Sequence, residues 1–136
     1  MSISVQTTIN APASTVWHAY TTPEAIVQWN AASDDWHTTS AHVDLRVGGD
    51  FSSRMEARDG SAGFDFAGTY TAVDSQQRLA YTFGDRHAEV TFSETDTQQT
   101  IVTVTFEPET EHPLDMQRDG WQAILDSFAH YVEQLA

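Results

Sequence analysis

The side chains able to do chemistry are few and widely spaced. Histidine occurs six times and cysteine not at all. His42-x-Asp44 and His87-x-Glu89 each place two metal-ligand types on one strand face, but a metal site needs three or four such groups to converge. No third ligand follows at a suitable spacing and HExxH is absent, so neither a metal nor a cofactor is expected. His18 and His130 sit beside Trp17 and Tyr131 in helical segments and read as surface or boundary residues. The lack of cysteine excludes thiol catalysis, disulfides and cysteine-ligated zinc. Serine catalysis lacks its GxSxG elbow, since GDFSS and DGSAG are turn sequences. Gly48-Gly49 precedes a strand rather than opening a helix, and no lysine exists to serve a phosphate loop. The carboxylate pairs Asp34-Asp35 and Asp115 with Asp119 read as acidic surface. General acid–base work would need a group inside a cleft. The polar candidates for a pocket wall are His87, Arg54 and Tyr70, with Tyr81 offering a second phenol. The faces taken by His87 and Arg54 depend on strand register, because a slip of one residue reverses them.

Charge narrows the function classes further. Asp and Glu number 20 against 6 basic residues, all of them arginine, for a net charge of −14. Such a surface repels phosphate backbones and anionic lipid, and no basic cluster offers a local exception, so nucleic-acid binding is not expected. The acidity reads as a source of solubility, or as adaptation to a saline cytosol in which salt screens the self-repulsion. The N-terminal residues MSISVQTTINAP have neither a basic start nor an apolar stretch, which argues against a secretory signal. No run approaches the roughly 18 apolar residues of a membrane span. A cytoplasmic location is expected.

Elements to position those residues follow from periodicity. Ile3, Val5, Thr7 and Ile9 alternate as a strand until Asn10-Ala11-Pro12 breaks it. Val16, Trp17 and Tyr20 have helical spacing. Thr22-Pro23-Glu24 then reads as a second helix start, with a threonine N-cap, proline in the first turn and an acid facing the dipole. From Asp34 to Glu107 the helical period gives way to strands. Alternation marks Val43, Leu45 and Val47, then Phe51, Ser53, Met55 and Ala57. Phe64, Phe66 and Tyr70 follow, with Gly68 suggesting a bulge or a close backbone approach. Leu79, Tyr81 and Phe83 lead through a Gly84-Asp85 hairpin to Ala88, Val90 and Phe92, and Val102, Val104 and Phe106 form the last strand. Consecutive strands with short turns imply an antiparallel meander.

After Pro113 the helical period returns. Trp121, Ile124, Leu125, Phe128, Val132 and Leu135 form one apolar stripe, with Asp119, Gln122, Asp126, His130 and Glu133 on the other side. A helix this long with one apolar stripe must cover an apolar sheet face. The chain also carries 7 Phe, 4 Trp and 4 Tyr, most of them on the inferred inner faces. Those rings either fill a core or line a cavity, and periodicity alone does not choose. Gly120 lies inside the helix at a cost of about 1 kcal/mol relative to alanine, which close approach of another group at that point would explain.

Four stretches bear a family resemblance: INAPASTVWHAYTTPEAIVQW, VGGDFSSRMEARDGSAGFDFAGTY, RLAYTFGDRHAEVTF and RDGWQAILDSFAHYVE. In order and spacing they resemble the bacterial members of the activator of heat-shock-protein-90 ATPase homologue family, within the START-like (SRPBCC) superfamily. The resemblance implies an α+β helix-grip (START/Bet v 1-like) fold. In it a curved antiparallel sheet grips a long C-terminal helix around a deep cavity, with two short helices after strand 1. It implies a single such domain over residues 1–136. Superfamily members include lipid and hormone carriers, cyclases and oxygenase domains, and the homologue family shares no catalytic motif to carry over. The eukaryotic co-chaperones that give the family its name have an extra N-terminal domain. This chain begins at the first strand of the grip, so their ATPase-activating role is not expected.

The expectation is a non-catalytic holder of a small apolar or aromatic molecule between sheet and C-terminal helix. Its wall would comprise Trp29 and Trp36 near the mouth and Phe51, Met55, Phe64, Phe66, Tyr70, Tyr81 and Phe92 from the sheet. Trp121, Leu125 and Phe128 would line it from the helix. Two alternatives stay open: a chaperone-associated or stress-related protein-interaction module, and a cyclase- or lyase-type enzyme using a pocket tyrosine or histidine. Monomer and homodimer are both compatible with the sequence.

Overall fold

In the computed structural model, which describes residues 2–135, alternation and helical spacing resolve into ten elements. The order is β1 (Ile3–Ile9), α1 (Ala13–Thr21), α2 (Pro23–Trp29), β2 (Trp36–Val43), β3 (Asp50–Ala57), β4 (Gly63–Asp74), β5 (Arg78–Phe83), β6 (Arg86–Glu94), β7 (Thr100–Phe106) and α3 (Leu114–Gln134). All strands join one 7-stranded sheet in the order β1-β7-β6-β5-β4-β3-β2. Every pairing is antiparallel. The connection through α1 and α2 therefore carries the chain from one edge of the sheet to the other, and β2 to β7 form the expected meander. The sheet curls around α3 in the helix-grip arrangement. No helix among the described residues is long and apolar enough to cross a membrane.

The strands alternate as a half-buried sheet requires. Ile3, Val5 and Ile9 of β1 face the core with Ala88, Val90 and Phe92 of β6 and Val102, Val104 and Phe106 of β7. The β5–β6 hairpin turns through Gly84-Asp85, with Gly84 at φ +63 and the closing pair Phe83↔Arg86. Glycine at the first central position is what a type II′ turn needs.

Three expectations are corrected here. The second strand is Trp36–Val43, and it stops where Val43, Leu45 and Val47 were expected to continue it. Leu45 and Val47 are 37% and 63% exposed in a loop that folds back on β4, where Gly48 N–H donates to the Tyr70 carbonyl and Tyr70 N–H to that of Gly49. The true strand was hidden because WHTTSAHV alternates poorly and is bulged between Thr38 and Ser40. Gly68 does not break the phase of β4; the register shift lies between Tyr70 and Ala72. Gly68 instead permits a close approach, since a Cβ there would lie 2.1 Å from the Thr82 carbonyl oxygen and 2.8 Å from the Phe51 ring. Thr22 begins α2 without a side-chain cap, its hydroxyl lying 3.4 Å from His18 Nδ1.

The α3 stripe anchors the helix through its second half, where Leu125, Phe128 and Val132 are buried. Leu135, expected to extend the stripe, is 55% exposed beyond the last turn. Along β1, the Gln122 side-chain amide donates to the Gln6 carbonyl (3.1 Å), and the Glu133 carboxylate accepts from Asn10 N–H (2.9 Å). Gly120 has no atom within 4 Å of the position its Cβ would occupy, so the close approach inferred for it is absent. Gly120→Ala should accordingly raise the unfolding free energy by about 1 kcal/mol, the helix-propensity difference, and raise Tm by a few degrees in calorimetry.

Candidate functional site

The aromatic residues divide into two groups. One is packed core between the helices and the far half of the sheet. Trp29 lies 4.8 Å from Phe128 by ring centroids, Tyr20 bridges Phe128 (5.1 Å) and Phe92 (5.7 Å), and Trp17 meets Phe92 edge-on at 5.2 Å. Polar ties hold this block: Trp29 Nε1 donates to the Ala19 carbonyl (3.0 Å) and the Ser127 hydroxyl to the Trp29 carbonyl (2.8 Å). The second group surrounds a cavity of about 380 Å³ between β3, β4 and β5, the end of α2 and the middle of α3. Ligand-holding pockets are usually about 300–1,000 Å³. The cavity exists because α3 packs chiefly on β1 while the curled sheet carries β3 to β5 away from it.

Of the residues expected to form the wall, Trp29, Trp36, Phe51, Met55, Phe64, Phe66, Tyr70, Tyr81, Trp121 and Leu125 border this space. Phe92 and Phe128 do not. Both are buried in the core block behind Tyr20 and Trp29, because the apolar stripe of α3 is wide enough to serve the core and the cavity from neighbouring positions. Phe51 is the hub of the sheet side, with Tyr70 and Tyr81 each at 5.0 Å, and it lies across Gly68. Trp121 stacks on Phe106 at 4.0 Å with a 7° interplanar angle and presents its other contacts to Phe66 and Phe83. Trp36 and Phe64, 5.8 Å apart, flank the mouth, where Phe64 is 47% exposed.

The polar wall differs from expectation. Arg54 points to the outer face, paired with Glu56 at 3.1 Å and Asp65 at 3.6 Å. His87 is also outside, with Nδ1 2.7 Å from Glu107. Tyr70 does border the cavity, joined by Tyr20, Asn30, His42, Ser53, Tyr81 and Arg86. Arg86 was legible from phase: residues 86, 88, 90 and 92 share a face, so the inward-pointing arginine is the one before His87. Tyr20 was hidden by its place on α1, where its ring serves core and cavity alike.

Burial pushes all three cavity phenols above the ordinary tyrosine value. Tyr70 reaches about 12 through desolvation. Tyr20 is raised by burial and by the neighbouring Tyr70. Tyr81 is raised by burial and by both other phenols, against a smaller lowering by Arg86. They are therefore neutral hydrogen-bonding groups at physiological pH and not bases. A pKa raised on folding stabilises fully below the unfolded value and is lost as pH climbs towards the folded one. The protein should thus lose stability progressively from about pH 10 upward. Phenolate absorbance at 295 nm would check this, Tyr70 ionising near 12 and the other two ionising together with unfolding.

The members of the two His-x-acid pairs go to different partners. His42 faces Asp50, Asp44 holds Arg46, His87 holds Glu107 and Glu89 holds Arg78. Among the described residues, Glu109, Glu111 and His112 do bring ligand atoms within 4.8 Å of one another, on the surface ahead of α3. His112 and Glu109 form a 3.0 Å ion pair there that raises the histidine and lowers the carboxyl.

Comparison with known proteins agrees with this architecture. An AHSA1-like protein from Aeromonas hydrophila is 46% identical over 99% of this chain and 94% of its own, with a TM-score of 0.93. A protein from Cytophaga hutchinsonii is 39% identical over 98% of this chain and 93% of its own, with a TM-score of 0.84. One from Nitrosomonas europaea shares the fold at 21% identity, with a TM-score of 0.86 over 100% of this chain and 96% of its own. No curated protein matches the sequence. The family model described as Activator of Hsp90 ATPase homolog 1-like protein matches residues 10–133, and the protein belongs to that family.

Proposed function

We propose that this protein holds a small apolar or aromatic molecule in the cavity between the sheet and α3, without transforming it. The observation that carries the reading is a cavity of about 380 Å³ bordered by Phe51, Phe66, Tyr70, Tyr81 and Trp121. A ligand of matching shape gains dispersion contacts with such a wall. The polar groups of the wall are few and suited to orienting a guest. A cyclase or lyase would need a cavity group poised to exchange protons near neutrality. The phenols are pushed away from that range by burial. His42, at the rim, turns a 60% exposed side chain towards Asp50.

The family name speaks of activating the Hsp90 ATPase, and docking on such a partner would use the outer surface. Leu114 and Met116, 39% and 58% exposed at the start of α3, favour this second reading, while the cavity favours the first. Thermal-shift and calorimetric titrations with indole, 2-naphthamide, decanol and their acidic counterparts test the first reading. A ligand at one hundred times its Kd should stabilise by about 2.7 kcal/mol. Absence of any shift across the panel would sink it.

A further inference from the structure

The cavity wall contains one strong cation, and no aspartate or glutamate among the described residues lies within 4.0 Å of it. Arg46, Arg54, Arg78 and Arg118 each lie within 4.0 Å of an aspartate or glutamate. Arg58 is exposed. Arg86, among the described residues, has no carboxylate within that distance, in a chain carrying 20 acidic residues.

Two acids of the segment after β7 are tied to histidines, although Glu109 still feels the Arg86 charge at longer range. Glu107 accepts from His87 Nδ1 (2.7 Å) and from His87 N–H (2.6 Å). Glu109 accepts from His112 Nδ1 (3.0 Å) and from His112 N–H (2.7 Å). The guanidinium itself is held in place: it lies 4.4 Å over the Phe83 ring, and Nη1 donates to the Glu107 carbonyl at 3.2 Å. Its other donors remain for a guest. The register sets Phe83 directly opposite Arg86 and Tyr81 on the diagonal, so the Tyr81 phenol shares the same wall.

We propose that the natural guest is an amphipathic carboxylic acid, its hydrocarbon or aromatic body among Phe51, Phe66 and Trp121 and its carboxylate on Arg86. This rests on the cavity being a ligand site and adds the chemical class of the ligand. A planar guanidinium fork matches a carboxylate bidentately. A fixed cation on an apolar, partly desolvated wall gains most from such a partner. The net charge of −14 disfavours anions at long range, so selectivity for an acid has to come from this local cation.

Isothermal titration calorimetry of the full chain at pH 7 and about 0.15 M salt tests the assignment with matched pairs: 2-naphthoate against 2-naphthamide, and decanoate against decanol. The acid of each pair should bind about 10- to 100-fold more tightly, the range for a charge-assisted hydrogen bond. In Arg86→Met, which keeps an unbranched apolar stem over Phe83, that ratio should collapse towards one, and Arg86→Lys should retain part of it. The melting temperature of each variant confirms folding, and the lysine variant carries the test if the methionine one unfolds. If the neutral partners bind as well as the acids to the unaltered protein, the acid assignment is wrong and the cavity reading survives. A ratio that persists in Arg86→Met also overturns it. If none of the probes binds, both readings fall.

Discussion

Phe128→Ala should lower the unfolding free energy by about 3–5 kcal/mol, the range for truncating a fully buried aromatic residue. Its ring has 0% exposure and closes the core block by touching Trp29 and Tyr20. Those two rings are fixed from other directions, Trp29 through its bond to the Ala19 carbonyl, so the void cannot collapse cheaply. For a domain of this size such a loss is a large part of the total stability. Urea denaturation followed by circular dichroism gives the value directly. A cost below about 1 kcal/mol, as for an ordinary surface change, would show that the block is not packed as described.

Trp121→Ala should act on binding as well as on stability. The indole is partly buried and covers Phe106 as a stacked plate, so its removal should cost about 2–3 kcal/mol, less than a fully enclosed ring. Its exposed face borders the cavity together with Phe66 and Phe83. Removing an aromatic anchor from a pocket commonly costs at least 2 kcal/mol of binding, about 30-fold in Kd. Calorimetry with 2-naphthamide separates this effect from the charge effect of Arg86. Unchanged affinity for every probe would place the site elsewhere. A drop in Tm with unchanged affinity would make Trp121 a packing residue alone.

Much of this architecture was legible because a half-buried sheet writes itself in alternation. The inward set of β3, β6 and β7 and the stripe of α3 could be read directly, and the resemblance supplied the curl that creates a cavity. Three kinds of information were not legible. Edge strand β2 carries few apolar residues, since α2 and the loop before it shield only part of its face, so its pattern was lost to the following Val43-x-Leu45-x-Val47. The division between core rings and cavity rings depends on how far the sheet bends from α3, a property of tertiary packing that no local spacing encodes. Spacing therefore groups Phe92 and Phe128 with Phe66 and Trp121. The inward arginine is masked by its neighbour: side-chain chemistry singles out His87, while the phase of Ala88, Val90 and Phe92 selects Arg86.

The side chains that α3 sets along β1 have a consequence for how copies of this protein meet. An edge strand is a template for another chain, because half of its backbone groups point outward unpaired. On β1 the outward carbonyl of Gln6 is occupied by Gln122, and just past its end the N–H of Asn10 is held by Glu133, so an incoming strand would have to displace helix side chains to pair there. At the opposite edge the irregularity between Thr38 and Ser40 interrupts the ladder of β2, and a flat partner would lose register midway. Continuous sheets running from one molecule to the next are thereby discouraged at both ends. The strongly negative surface adds mutual repulsion. Guarding against strand-to-strand polymerisation is thus shared between the helix that also walls the cavity and a defect in the strand beside its mouth.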